Sequence, residues 1–137
     1  MGTRCLTYVY EGKTPLMCLY RQFDGYPSGH GAELADFLNK IEVGNGILGK
    51  PEMGEFANGM GCLAAQLVAH FKKSVGGFYI HSIESGSGGV DYEYHVYPDK
   101  IVVTESDEDV FSGSCIDFAE YCKFGSWIDF AEYCKAE

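Results

Sequence analysis

Basic residues are scarce in this chain. Lys and Arg total 10 against 20 Asp and Glu, for a net charge of −10, and they are scattered. Nucleic acids and anionic membranes are held by basic surfaces, so neither is an expected partner. Long apolar runs are missing as well; none approaches the ~20 residues of a membrane span. No apolar stretch follows a basic start at the N-terminus, so a secretion signal is not expected. Leu6 stands where a myristoylation motif needs Ser or Thr. The expected location is the cytoplasm, where thiols stay reduced. The cysteines (Cys5, Cys18, Cys62, Cys115, Cys122, Cys134) form no C-x-x-C pair. Most sit among apolar neighbours, where free Cys behaves as a small hydrophobe, so neither metal nor other cofactor is expected.

Hydrophobic residues make up 46% and aromatics 15% of 137 residues. That composition supports one globular domain, residues 1–137, with a real core. Two β-rich runs, 5–10 and 16–23, flank the turn Glu11-Gly12-Lys13-Thr14-Pro15 and predict a hairpin. Asp24-Gly25 breaks it, and Ser28 is a suitable N-cap for a helix reaching about Lys40. Residues 44–51 read as loop. Phe56, Met60, Leu63, Ala64, Leu67, Val68 and Phe71 then recur at three- and four-residue steps, predicting a second helix from about Gly54 or Asn58 to Ser74.

Three more strands are predicted at 78–84, 90–97 and 100–105, joined by the glycine-serine run 85–89 and the turn Pro98-Asp99. Simple hairpin registers place Phe78, Ile80, Val90, Tyr92, Tyr94, Val96, Ile101 and Val103 on an apolar face. Tyr79, His81, Asp91, Glu93, His95 and Tyr97 fall on a polar one. The predicted fold is α+β: an antiparallel sheet of about five strands, two long helices on one face and a short C-terminal helix, in the order β-β-α-α-β-β-β-α. The alternative is a parallel or mixed arrangement in which the first hairpin leaves the main sheet.

The tail holds a tandem duplication within 114–135. Ser114 to Lys123 reappears as Ser126 to Lys135, and only Cys115 and Trp127 differ. Two units are too few for a solenoid. With one groove for two identical apolar stripes, the spare copy is driven towards another subunit, and the expected state is a homo-oligomer, most simply a dimer.

Chemistry-bearing residues gather in Tyr20–Gly31. Asp24 and His30 are candidate catalytic groups, a carboxylate able to orient an imidazole base. Tyr20, Arg21, Asp24, Tyr26 and His30 are the candidate contacts for a small ligand, and free N–H groups at a helix start would suit an anion. The plain alternative pairs Arg21 with Asp24 across the turn, gives Gly25 the positive φ and turns His30 to water. His81, Asp91, Glu93 and His95 fall together, and in the assumed register Glu93 lies opposite His81 and His95 opposite Tyr79, a set able to hold a metal; the expected reading is a solvated or helix-covered sheet face. The acidic run 105–109 lacks the glycine and final Glu of a calcium loop and reads as solvated. Tyrosines crowd the strands, where they suit interfaces.

The stretch Tyr20-Arg21-Gln22-Phe23-Asp24-Gly25-Tyr26-Pro27-Ser28-Gly29-His30-Gly31 resembles a Y-R-Q-x-D-G-Y-P-x-G-H-G segment in a group of small uncharacterised bacterial and phage proteins. Some of these look like products of integron gene cassettes. The ending S-W-I-D-F-A-E-Y-C resembles that group's too, which would make the Cys115 copy the insertion. The resemblance implies no activity, because the group has no assigned reaction. Three functions remain open: a non-enzymatic binding protein with a small-ligand site near 20–31, a small enzyme using His30 with Asp24 and Arg21, and a structural homo-oligomer.

Overall fold

The chain is described by a computed structural model covering residues 2–44, 56–84 and 89–124. The first hairpin forms as the sequence predicts. β1 (Cys5–Glu11) and β2 (Thr14–Arg21) pair antiparallel, and Gly12 turns between them at φ 61, a conformation glycine adopts without steric cost. The chain then makes a π-helical turn, Pro27–Gly31, and enters α1 (Ala32–Asn39). Two short parallel strands follow, β3 (Glu42–Gly44) and β4 (Phe56–Asn58). Next come α2 (Gly59–Phe71), β5 (Phe78–His81), β6 (Tyr92–Val96), β7 (Ile101–Glu105), β8 (Glu108–Gly113) and α3 (Cys115–Phe124).

The α+β class holds, but the sheet differs from expectation. It has 6 strands in the order β5-β2-β1-β6-β7-β8. It is mixed, because β1 and β6 run parallel, Cys5 opposite Tyr92. The first hairpin stays at its centre. The cause is the connection 82–91. A tight turn can only fold a strand back beside its predecessor, whereas a longer crossover can return the chain to start a parallel strand elsewhere. β5 therefore pairs with β2, and both β2 and β1 stand between it and β6.

β8 is absent from the predicted elements because its acidic start hides it. Ser106 and Asp107, at φ 51 and 69, make the tight turn, and Glu108 and Asp109 begin an edge strand, a place where charges deter further pairing. The opposite edge is guarded differently. Lys72 Nζ donates to the carbonyls of Phe78 at 2.8 Å and Gly76 at 3.0 Å.

One sheet face packs on the helices. Cys5, Val9, Leu19, Tyr94, Val96, Ile101, Val103 and Phe111 meet Leu34, Leu63, Leu67, Phe71, Phe118 and Tyr121 in one buried cluster. Ile80, expected in this core, is 62% exposed because β5 lies at the edge. The other face carries a smaller buried cluster of Leu6, Tyr8 and Cys18, with Tyr10, Tyr20 and Val90 against it.

α3 is the first tail copy, and its Phe118, Tyr121 and Cys122 are buried. The copy with Cys115 thus docks on its own chain. The expected dimer took this Cys115 copy as the spare one, with Phe118, Tyr121 and Cys122 left for another subunit; these side chains are instead buried within the chain, and the second copy, 126–135, lies outside the described residues. Among the described residues no helix is long and apolar enough to cross a membrane.

Candidate functional site

The sheet turns Arg21 and Tyr20 to opposite faces, since neighbours on a strand alternate. Arg21 closes β2 on the helix side, its guanidinium 5.0 Å from the Phe78 ring centre. Asp24 then reverses the chain at φ 61, a value its short polar side chain tolerates. Asp24, not Gly25, takes the left-handed position. Gly25 is required for another reason: a Cβ there would lie 2.9 Å from Arg4 C and Cys5 Cβ. The loop is pinned by Gly25 N–H to Thr3 O and by Tyr94 O–H to Gly25 O at 2.7 Å.

This turn delivers His30 into the core, where it is fully buried. Its ring lies 5.0 Å from Phe71 and 5.1 Å from Tyr94, centre to centre. Arg21 Nη1 is 3.2 Å from Nδ1, and Thr7 Oγ1 is 2.7 Å from Nε2. A guanidinium can only donate, so Nδ1 accepts and the ring is the Nε2–H tautomer, donating to Thr7. Burial first, and the Arg21 charge second, push its pKa down to about 3. The same Nη1 donates to Glu33 Oε2 at 2.8 Å.

The expected site residues are thus divided. Arg21 and His30 meet, with Thr7 and Glu33 as partners that sequence reasoning did not single out. The Asp24 carboxylate lies at the surface, where Tyr26 O–H reaches Oδ1 at 3.4 Å; its main-chain carbonyl accepts the His30 N–H at 2.7 Å. The N–H groups of Gly29 and Gly31, expected to be free for an anion, both donate to Tyr26 O. Tyr20 faces away, stacked on His81 at 4.7 Å. Both ring nitrogens of His30 are engaged within the protein, so the cluster acts as a brace between β1, β2 and the π-helical turn.

The second face has a different character. Tyr10 and Tyr97 stack at 4.3 Å, and Tyr8 and His95 at 5.2 Å. Glu93 Oε1 lies 3.2 Å from His95 Nε2, and the Tyr10 oxygen lies 2.7 Å from His95 Nδ1. A carboxylate accepts only, so Nε2–H donates to Glu93 and, in the neutral ring, Tyr10 O–H donates to Nδ1. Burial raises the Tyr8 and Tyr10 pKa values above the usual phenol range, and burial pushes the Cys18 thiol up to about 11. Two rim rings hold cations of the same chain: Lys72 Nζ is 5.4 Å from the Tyr79 centroid and Lys100 Nζ is 5.4 Å from that of Tyr97.

The expected set of His81, Glu93 and His95 is split. Glu93 and His95 pair, but His81 lies opposite Cys18, and two strands, β2 and β1, stand between it and Glu93. A β5–β6 hairpin would have joined them; the crossover separates them. Comparison with protein families, curated proteins and solved structures finds no match to this chain.

Proposed function

We propose that the protein is a non-enzymatic binding protein whose contact surface is the tyrosine face of the six-stranded sheet. The observation that carries this is the belt of stacked rings, Tyr97-Tyr10 and His95-Tyr8 on one side and Tyr20-His81 on the other. Such rings offer rigid apolar area with polar tips, the chemistry favoured at interfaces. Tyr20 ties this surface to the expected ligand region, 20–31.

The partner we propose presents arginine. Lys72 and Lys100 already sit over rim tyrosines, Glu93 adds a carboxylate within the belt, and the net charge of −10 favours a basic partner. A cytoplasmic location belongs to the same proposal and is supported by the free thiols of Cys5, Cys18, Cys62, Cys115 and Cys122. The enzyme reading has less support, since His30 is neutral, buried and engaged at both nitrogens.

The test is an NMR titration with an arginine-glycine repeat peptide, alongside its glutamate-glycine counterpart. Shifts should concentrate at Tyr10, Tyr20, Tyr79, His95 and Tyr97 with the arginine peptide alone. Tyr10→Leu and Tyr20→Leu should each weaken binding about two- to fivefold, the size of an exposed cation–π contact. Shifts spread evenly over the acidic surface, or binding indifferent to both substitutions, would reject the proposal.

A further inference from the structure

The groove that seats α3 is specified by few contacts. Phe118 lies 6.1 Å from Tyr94 and 5.9 Å from Phe111, ring centre to centre, and Tyr121 stacks on Phe111 at 4.9 Å. Cys122 packs where Gly31 leaves room; a Cβ at Gly31 would come within 2.8 Å of its Sγ. Ser114 caps the helix, its Oγ accepting the Asp117 N–H at 3.1 Å.

Every tail residue in these contacts is duplicated. Phe130, Tyr133, Cys134, Ser126 and Asp129 repeat Phe118, Tyr121, Cys122, Ser114 and Asp117 at the same spacing. The single difference falls at Cys115, a half-buried position whose main-chain carbonyl, not its side chain, accepts from Asn39 Nδ2 at 3.0 Å. The Cys115 side chain packs at the margin of the core, and close by Ala32, Ala35, Asn39 and Ile116 line an open cleft of about 470 Å³ between α1 and α3.

We infer that this groove accepts either copy, so that residues 126–135 can replace 114–123, with 114–125 then looped out after β8. Docking the first copy closes no loop. Docking the second requires the ends of the excursion to meet, an entropic cost that grows only with the logarithm of loop length. The first copy is therefore the resident in the parent chain, as the structure shows it, and the second is a replacement. The duplicated tail then acts as a spare for the helix that completes the core.

Trp127 is the sole tryptophan, so its fluorescence reports the exchange. Phe118→Asp places a charge in the groove and should expel the first copy. The full-length variant should still unfold cooperatively, with Trp127 emission shifted to the blue and its acrylamide quenching reduced relative to the parent. Phe130→Asp should leave cooperativity and melting temperature unchanged, and the double variant should lose the cooperative transition. Deleting 114–125, which joins Gly113 to Ser126, should give a folded protein. The inference is overturned if Phe118→Asp unfolds like the double variant, if it folds with Trp127 as quenchable as in the parent, or if the deletion fails to fold.

Discussion

The Arg21 guanidinium donates to Nδ1 of the buried His30 ring at 3.2 Å, and that bond sets the ring's tautomer, while burial first and the Arg21 charge second keep it neutral. Protonated His30 would be a fully buried cation facing the Arg21 cation. The ring stays neutral down to about pH 3 in the folded state.

Acid should therefore destabilise the protein through His30. The unfolded chain takes up this proton below an ordinary His pKa of about 6.5, while the folded chain does not until about 3. The unfolded state binds more protons in that window, so the contribution is complete above about 6.5 and is lost progressively as pH falls. At pH 5 the loss from this group should be about 2 kcal/mol. Denaturant titration at pH 7.5 and pH 5 should show it in the parent and show it reduced by that amount in His30→Gln. Equal losses in the two proteins would assign the acid sensitivity elsewhere. His30→Ala should cost about 3 kcal/mol at pH 7.5, from lost packing and an unpaired Thr7 hydroxyl.

Ring tautomers can be read directly. Long-range proton-nitrogen spectra should show His30 as Nε2–H, set by Arg21, and neutral His95 as Nε2–H, set by Glu93. Tyr10→Phe should cost about 1 kcal/mol through the lost bond to His95 Nδ1. A His95 ring found as Nδ1–H would reverse the direction assigned to the Tyr10 bond.

Gly31 should tolerate no side chain while Cys122 is present. A Cβ there would meet Cys122 Sγ at 2.8 Å and the Tyr94 ring at 3.3 Å. Gly31→Ala should cost about 1–3 kcal/mol by overpacking. In a Cys122→Ala background the same change should cost less, and chemical denaturation of the four proteins of this cycle measures the difference. Additive costs would mean that Gly31 is needed for its backbone and not for its space.

The thiols should divide by burial. Cys5, Cys18 and Cys122 are buried, with Cys18 pushed up to about 11 and Cys122 to about 12 by desolvation. Among the described cysteines, alkylation of the native protein followed by peptide mapping should label the half-buried Cys62 and Cys115 before Cys5, Cys18 and Cys122. Early labelling of Cys18 would show that the tyrosine face opens.

The sequence by itself determined what depends on local period. Alternation in 92–96 sends Tyr94 and Val96 inward and Glu93 and His95 outward, whichever strands lie beside them. The three- and four-residue steps of 59–71 place Met60, Leu63, Leu67 and Phe71 on one buried stripe in the same way. The break at Asp24-Gly25 and the helical spacing of the tail are local too, and they appear as the turn before the π-helical segment and as α3.

Only the tertiary structure decided which strands meet. A period says which face a residue takes and nothing about its neighbour on the next strand, because pairing is settled by long-range packing and by the path of the connections. β6 lies parallel to β1, joining Tyr10 to His95 across neighbouring strands and leaving two strands between His81 and Glu93. The acidic edge strand β8 also depends on a neighbour, since Glu108 and Asp109 form a strand by pairing with β7. In sequence His30, between two glycines, read as a candidate base or ligand contact, or as a residue facing water. It became a neutral core group because a loop pinned by Tyr94 and Thr3 carries it beneath the helices, to Thr7, Arg21 and Phe71.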